Sequence, residues 1–209
     1  MAKLLFVTSS LFGEGSQSRL IAGEFIDRWR RSHPRTVVVE RELTAETMPH
    51  LSLPALAAAV TPAEARSAEQ HQAAALADAL IAEVEEAQVI VLAVPMYNFS
   101  IPSTLKAWID HITRSGRTFR YGAGGAEGML RGRKVFVVTG RGLVYGDSSP
   151  GKDMDFQAPY LRAMLAFLGL DDVTFIHLEG LKISPETAAG TLQRARQAIG
   201  DLLPAAAAA

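Results

Sequence analysis

The chain has 209 residues, 48% of them hydrophobic and 21% charged, an ordinary globular composition with enough length to bury one sizeable α/β core. A formal net charge of -1 gives no field toward nucleic acid or an anionic membrane, and the lack of any cysteine excludes a disulfide framework, a thiol nucleophile and thiolate metal ligands. No apolar run is long enough to span a bilayer, and Leu4-Leu5-Phe6-Val7 is too short for a signal-peptide core, so the expectation is a cytoplasmic protein that binds neither membrane nor nucleic acid.

Residues 3–8 read as a short apolar strand. The loop Ser9 to Ser18 follows, then a helix from about Ser18 to Arg31 with Ile21, Phe25 and Trp29 at spacings of four. A hydroxyl-rich loop entering a helix N-terminus suits a phosphate, because orphan N–H groups and the positive end of the dipole favour an anion. Ser16 and Ser18 equally suit plain helix capping, and the loop chemistry alone leaves both readings open. The loop has neither the Gly-Lys-Ser/Thr ending of a P-loop nor the G-x-G-x-x-G spacing of a dinucleotide site.

Thr36 to Glu40 is a second, β-branched strand. Leu43 to Pro62 is a polar connection, long enough that it carries function or covers a surface; His50 within it reads as solvated. Thr61-Pro62-Ala63-Glu64 has the form of a capping box, predicting a helix to about Glu86 with Leu76, Leu80 and Val84 on one face and His71 exposed.

Val89 to Val94 is an uninterrupted apolar run, the mark of a strand buried on both faces of a parallel sheet. It breaks at Pro95, crosses Met96-Tyr97-Asn98-Phe99, and resumes as a helix with Ile101, Leu105, Trp108, Ile109 and Ile112 apolar. In open α/β sheets ligands bind outside the carboxyl ends of the strands, where strand order reverses. This loop therefore belongs at the rim of a crevice. Its aromatic faces, asparagine amide and backbone N–H groups are the parts that hold a flat heteroaromatic ring with polar edges.

Gly122, Gly124, Gly125 and Gly128 predict a turn-rich excursion. Phe119 and Tyr121 alternate with Arg120 as in a short strand, fitting either an aromatic near the crevice or a satellite cluster under a loop. Lys134 to Thr139 is a fourth buried strand ending in Gly140-Arg141-Gly142-Leu143, where glycine lets backbone approach a ligand and N–H groups can face negative charge. A helix follows from about Asp155 to Leu168, with Leu161, Met164, Leu165 and Leu168 on one face. Val173 to Leu178 is a fifth strand, with a structural His177 near its end. Ser184-Pro185-Glu186 opens a last helix, whose inner face carries Ala188, Leu192, Ala195 and Ile199 and which Pro204 stops; residues 204–209 read as a frayed tail.

Strands alternating with helices, without repeat or linker, predict one domain over residues 1–203. Its expected architecture is a three-layer α/β sandwich on a five-stranded parallel sheet of order 2-1-3-4-5. The loops after strands 1, 3 and 4 then meet at the switch point. No Ser-His-Asp order, paired-carboxylate motif or His/Asp/Glu cluster with metal-ligand spacing is present, so no metal is expected.

Pro95-Met96-Tyr97-Asn98-Phe99, Ile101-Pro102, Leu105-Lys106-Ala107-Trp108-Ile109-Asp110 and Gly116-Arg117-Thr118-Phe119-Arg120-Tyr121 resemble the FMN-dependent NADH azoreductases, also described as FMN-dependent NADH:quinone oxidoreductases. Ser9-Ser10 with Ser16-Gln17-Ser18 fits the phosphate loop of that family and Arg141-Gly142 its glycine loop, and the resemblance runs in order from about Lys3 to Leu203. It implies a flavodoxin-like homodimer with one FMN per subunit near the dimer interface. Ser10, Ser16, Gln17 and Ser18 would hold the phosphate side. Met96, Tyr97, Asn98 and Phe99 would line the isoalloxazine, and Gly140, Arg141, Gly142 and Leu143 its polar edge. The family more often has Ser and Gly where this chain has Gly140 and Leu143. Tyr121 matches a family aromatic near the substrate face. The implied activity is a ping-pong cycle in which NADH or NADPH delivers hydride to flavin N5 and a quinone or azo compound then receives it, with no side-chain acid or base required. The rival reading is a flavodoxin-type electron carrier, which would be expected to show an acidic docking face that a net charge of -1 does not suggest.

Overall fold

The structure, a computed structural model, describes residues 2–204. Five strands, β1 (Lys3–Thr8), β2 (Val37–Glu42), β3 (Val89–Pro95), β6 (Lys134–Gly140) and β7 (Asp172–Leu178), form one parallel sheet of order β2-β1-β3-β6-β7. This is the expected order 2-1-3-4-5. The two short strands between, β4 (Phe119–Gly122) and β5 (Gly125–Gly128), form a separate antiparallel hairpin.

The helices are α1 (Gln17–Ser32), α2 (Leu53–Ala58), α3 (Ala68–Glu86), α4 (Ser103–Ile112), α5 (Ala158–Phe167) and α6 (Pro185–Leu202). Successive strand residues point to opposite faces, so one sheet feeds two cores. Leu5, Val7, Ile90, Leu92, Val94, Val135 and Val137 pack with Leu80, Ile81 and Val84 of α3, Leu105 and Trp108 of α4, and Leu161 and Leu165 of α5. Leu4, Phe6, Val89, Val91, Ala93, Phe136 and Val138 pack with Ile21 and Phe25 of α1 and Ala195 and Ile199 of α6. Every residue of β3 is buried, as its unbroken apolar run requires.

Local signals set most helix ends. Ser16 caps α1 by accepting from the Arg19 amide, and Ser184 caps α6 by accepting from Thr187 with Pro185 in the first turn. Helix α5 starts at Ala158 rather than Asp155, because the Asp155 carboxylate accepts from the amides of Gln157 and Ala158, both at 3.0 Å.

Two expectations change. The connection after β2 contains α2, capped by Ser52 and carrying Pro54 in its first turn. The next long helix begins at Ala68, not near Thr61. The Thr61 hydroxyl is engaged with Ala57 O at 2.8 Å and does not cap; a single 3-10 turn, Ala63–Ala65, follows. The capping box is instead Ser67 with Gln70, each side chain bonded to the other's amide. The tail beyond Pro204 lies outside the described residues.

The hairpin resolves the excursion after α4. Phe119 is buried with its ring 4.8 Å from Phe167, a satellite cluster, while Tyr121 points outward and is 75% exposed. The hairpin is fixed where Gly128 meets Gly169: a Cβ on Gly128 would fall 2.0 Å from the Gly169 nitrogen. Only glycine permits that approach.

Candidate functional site

The carboxyl ends of β1, β3, β6 and β7 deliver four loops to one cleft of about 250 Å³. This is where strand order reverses, between β1 and β3.

The loop after β1 enters α1 through a 3-10 turn, Gly13–Gly15. Ser16 and Ser18 are buried with their hydroxyls 3.0 Å apart, and both line the cleft together with Ser10 and Gln17. The first amides of a helix have no intrahelical acceptor, so those of Gln17 and Ser18 stand at the positive end of the dipole beside these hydroxyls. Ser16 thus both caps α1 and faces the cleft, and the two readings of this loop are compatible.

The loop after β3 is a two-residue turn. Tyr97 and Ser100 exchange backbone hydrogen bonds at 3.0 and 3.1 Å, while Asn98 and Phe99 adopt φ of 47° and 71°. Positive φ at both central positions defines the tight turn that asparagine tolerates and phenylalanine rarely enters. Pro95, Met96 and Tyr97 line the cleft; Asn98 and Phe99 sit at the exposed tip, outside its lining. Two ties hold the turn. The Met96 amide donates to Gly140 O at 2.7 Å, and the Phe156 amide donates to Phe99 O at 3.1 Å.

Gly140, Arg141 and Gly142 of the loop after β6 line the cleft, whereas Leu143 is 54% exposed and outside the lining. Arg141 is nearly enclosed, and its Nη2 is buried without a hydrogen-bond partner among the described residues. Its side chain is 2% exposed, donating from Nε to Gln157 Oε1 at 3.0 Å and pairing through Nη1 with Asp155 and Glu179 at 3.0 and 3.2 Å. Glu179 also accepts from the Tyr145 amide, and Gln157 donates to Val94 O. The buried guanidinium thereby fastens the glycine loop to β3, β7 and the start of α5.

The fourth loop was not expected at the site. The amides of Gly180, Leu181 and Lys182 donate to the carbonyls of Leu143, Arg141 and Gly142, so the loop after β7 runs alongside the glycine loop and places Leu181 and Lys182 in the cleft. The signal was available: β7 adjoins β6 in the predicted strand order. Phe12, Gly15 and Pro95 also line the cleft, all within segments already singled out.

His177 bonds Thr139 Oγ1 through Nδ1 at 2.8 Å. The residue is exposed on one side, but desolvation of the packed part of the imidazole, with the nearby Arg141 charge, lowers its pKa from 6.5 to about 4. It is neutral at physiological pH, is not part of the cleft lining, and serves the sheet, as expected. His50 and His71 are exposed.

The donor set suits a flat anionic cofactor such as FMN. Hydroxyls and helix-terminal amides stand at one loop, apolar faces at Met96 and Tyr97, and a glycine-lined backbone opposite. No carboxylate lines the cleft. A Cβ at Gly140 would meet Ser18 Cβ at 3.5 Å, so that wall lies close against the serine loop.

A protein of Herminiimonas arsenicoxydans named FMN-dependent NADH:quinone oxidoreductase is 45% identical to this chain over 205 residues, covering 98% of this chain and all of its own length. FMN-dependent NADH:quinone oxidoreductase 3 of Pseudomonas aeruginosa is 45% identical over 197 residues, 94% of this chain and 91% of its own. Among solved structures, an azoreductase from Bacillus anthracis superposes with a TM-score of 0.89 at 25% identity, over 97% of this chain and 99% of that one. The Flavodoxin_2 family, described by its flavodoxin-like fold, matches residues 2–203. The chain belongs to this flavodoxin-like family and, within it, to the FMN-dependent NADH:quinone oxidoreductases and azoreductases.

Proposed function

We propose that this chain is an FMN-dependent oxidoreductase that passes two electrons from NADH to quinones and azo compounds in a ping-pong cycle, donor and acceptor using one site in turn. The observation that carries the reading is the cleft itself. Buried Ser16 and Ser18 hydroxyls at the α1 N-terminus, the Met96–Tyr97 wall and the glycine loop converge on one cavity that no carboxylate lines. The 45% identity to relatives named for this activity supports it.

Ser10, Ser16, Gln17 and Ser18 hold the phosphate through hydroxyls and helix-terminal amides. Met96 and Tyr97 support one face of the isoalloxazine, with Asn98 and Phe99 at its outer margin. Gly140 to Leu143 present backbone N–H groups to its polar edge. Bound FMN supplies the hydride-accepting chemistry. The cleft lining contains no histidine or carboxylate, so protons come from solvent.

Residues 1–203 form the FMN-binding domain of a cytoplasmic homodimer. Exposed Leu11, Phe12, Phe99, Leu143 and Phe156 belong to the loops around the cleft, and a second copy would cover such a surface. NADPH is the alternative donor, and Tyr121 is reserved for a substrate contact.

The test is an absorption spectrum after FMN loading and removal of excess, followed by anaerobic NADH and then a benzoquinone. Flavin bands that bleach with NADH and return with quinone are expected. Bound flavin that neither NADH nor NADPH bleaches would favour an electron carrier. Failure to bind flavin would overturn both.

A further inference from the structure

The cleft lining is cationic. No aspartate or glutamate lines it, and its two cationic side chains differ in what they face. The Arg141 guanidinium turns inward and is more than matched by two carboxylates, Asp155 and Glu179. Lys182 has no such match: among the described residues its ammonium makes no ion pair or hydrogen bond, and only its backbone amide is engaged, with Gly142 O at 2.9 Å. Its stem lies along the glycine loop, where a Cβ on Gly142 would be 3.4 Å from Lys182 Cδ. An unpaired, exposed lysine contributes little to fold stability. Its placement in a cleft without carboxylates calls for another account.

We propose that Lys182 sets the electron affinity of this site, its ammonium balancing the negative charge that hydride transfer puts on the polar edge of FMN. The proposal rests on the FMN reading above. The electron balance states the need. The dihydronicotinamide C4–H bond breaks, and a hydride with its two electrons bonds to flavin N5. The donor leaves as the oxidised, positively charged nicotinamide, and the neutral ring system gains one negative charge. That charge spreads over N1 and the C2 carbonyl, the edge assigned to the glycine loop. Backbone amides there supply partial charges; Lys182 adds a full one that needs no reorganisation at the moment of transfer. The later passage of hydride to the acceptor removes the charge again. Lys182 therefore favours the first half-reaction at some expense to the second.

For a solvent-facing side chain the effect is roughly tenfold in the ratio of reduced to oxidised FMN affinity. A tenfold ratio equals about 30 mV for a two-electron couple. Lys182→Met keeps the stem and removes the charge; Lys182→Arg keeps the charge. Three quantities separate the possibilities: the Kd of oxidised FMN, the midpoint potential of the bound flavin, and the affinity for sulfite, which adds to N5 and likewise leaves negative charge on the ring. The expected result for Lys182→Met is a midpoint about 30 mV lower. Sulfite binding should be about tenfold weaker, with oxidised-FMN affinity within about twofold and Lys182→Arg close to the parent in all three. An unchanged potential and sulfite affinity would overturn the proposal. So would a loss confined to oxidised-FMN binding, which would make Lys182 a phosphate anchor. A parent protein that takes up no FMN would instead overturn the reading beneath it.

Discussion

The Tyr97 hydroxyl accepts a hydrogen bond from the Leu11 amide at 3.0 Å, joining residues 86 apart in sequence. It also lies 3.4 Å from Ser10 Oγ. One phenol thus ties the loop after β3 to the loop after β1, the two walls between which the cofactor would lie. Tyr97→Phe keeps the ring and removes the tie. A single net hydrogen bond is worth about 0.5–1.5 kcal/mol, so FMN binding should weaken about 3- to 10-fold. Fluorescence titration of FMN measures this, and urea unfolding should show little change, because the Leu11 amide freed by the mutation is exposed to water.

Arg141 presents the opposite case. Its guanidinium is enclosed, and its removal strands Asp155 and Glu179 in partly buried positions. Breaking a buried pair from one side costs about 3–5 kcal/mol. Arg141→Met should lose stability of that order in urea unfolding and bind FMN poorly as the glycine loop loosens. Arg141→Lys should recover only part of it, because one ammonium cannot serve Gln157, Asp155 and Glu179 in the guanidinium's forked geometry.

His177 gives the pH dependence. Its folded pKa of about 4 lies below the unfolded value of 6.5. Between these values the unfolded chain binds a proton that the folded protein refuses, so stability rises with pH across the interval. The contribution is complete above pH 6.5 and is lost as pH falls toward about 4. The residue stays exposed over part of its surface, and solvent screening reduces its worth. Imidazole titration by NMR should give a His177 midpoint of about 4. His177→Gln should flatten the stability profile between pH 7 and pH 4.5.

Gly140 is a glycine that geometry does not demand. A Cβ there would sit 3.5 Å from Ser18 Cβ, an ordinary contact. Gly140→Ser is therefore expected to fold normally and to add a hydroxyl to the cleft wall beside Ser18. FMN should bind about 3- to 10-fold tighter than in Gly140→Ala, the control for bulk alone. Equal affinities for the two variants would show that the hydroxyl makes no bond.

What was legible in the sequence tracks the strength of the local signal. The unbroken run Val89 to Val94 identified a central strand, and its alternating sides define both cores. Helix α2, of six residues, is too short to show a 3.6-residue period. The start of α3 was misplaced because two segments carry the capping pattern, and only the tertiary structure shows Thr61 already occupied. The serine, tyrosine and glycine loops were found because each has distinctive chemistry at a strand's carboxyl end. Leu181 and Lys182 escaped because nothing in Glu179-Gly180-Leu181-Lys182 is distinctive by itself; its place follows from β7 lying beside β6. The inward turn of Arg141 was hidden for a similar reason, since its partners Asp155, Gln157 and Glu179 are distant in sequence.

Phe99 is held at a backbone cost. Its backbone is held at φ 71°, a region that disfavours any side chain, while its ring, 39% exposed, packs edge-on to Tyr145 with centroids 6.5 Å apart. The turn's own bonds, Tyr97 with Ser100 and Phe156 with Phe99, are all made by backbone atoms that glycine also possesses. Phe99→Gly relieves the backbone but loses the ring's contact with Tyr145 and adds chain entropy, so urea unfolding should show a net change within about 1 kcal/mol. A backbone conformation suited to glycine thus carries a bulky ring at the margin of the cleft, where it leans on the loop that follows the glycine loop.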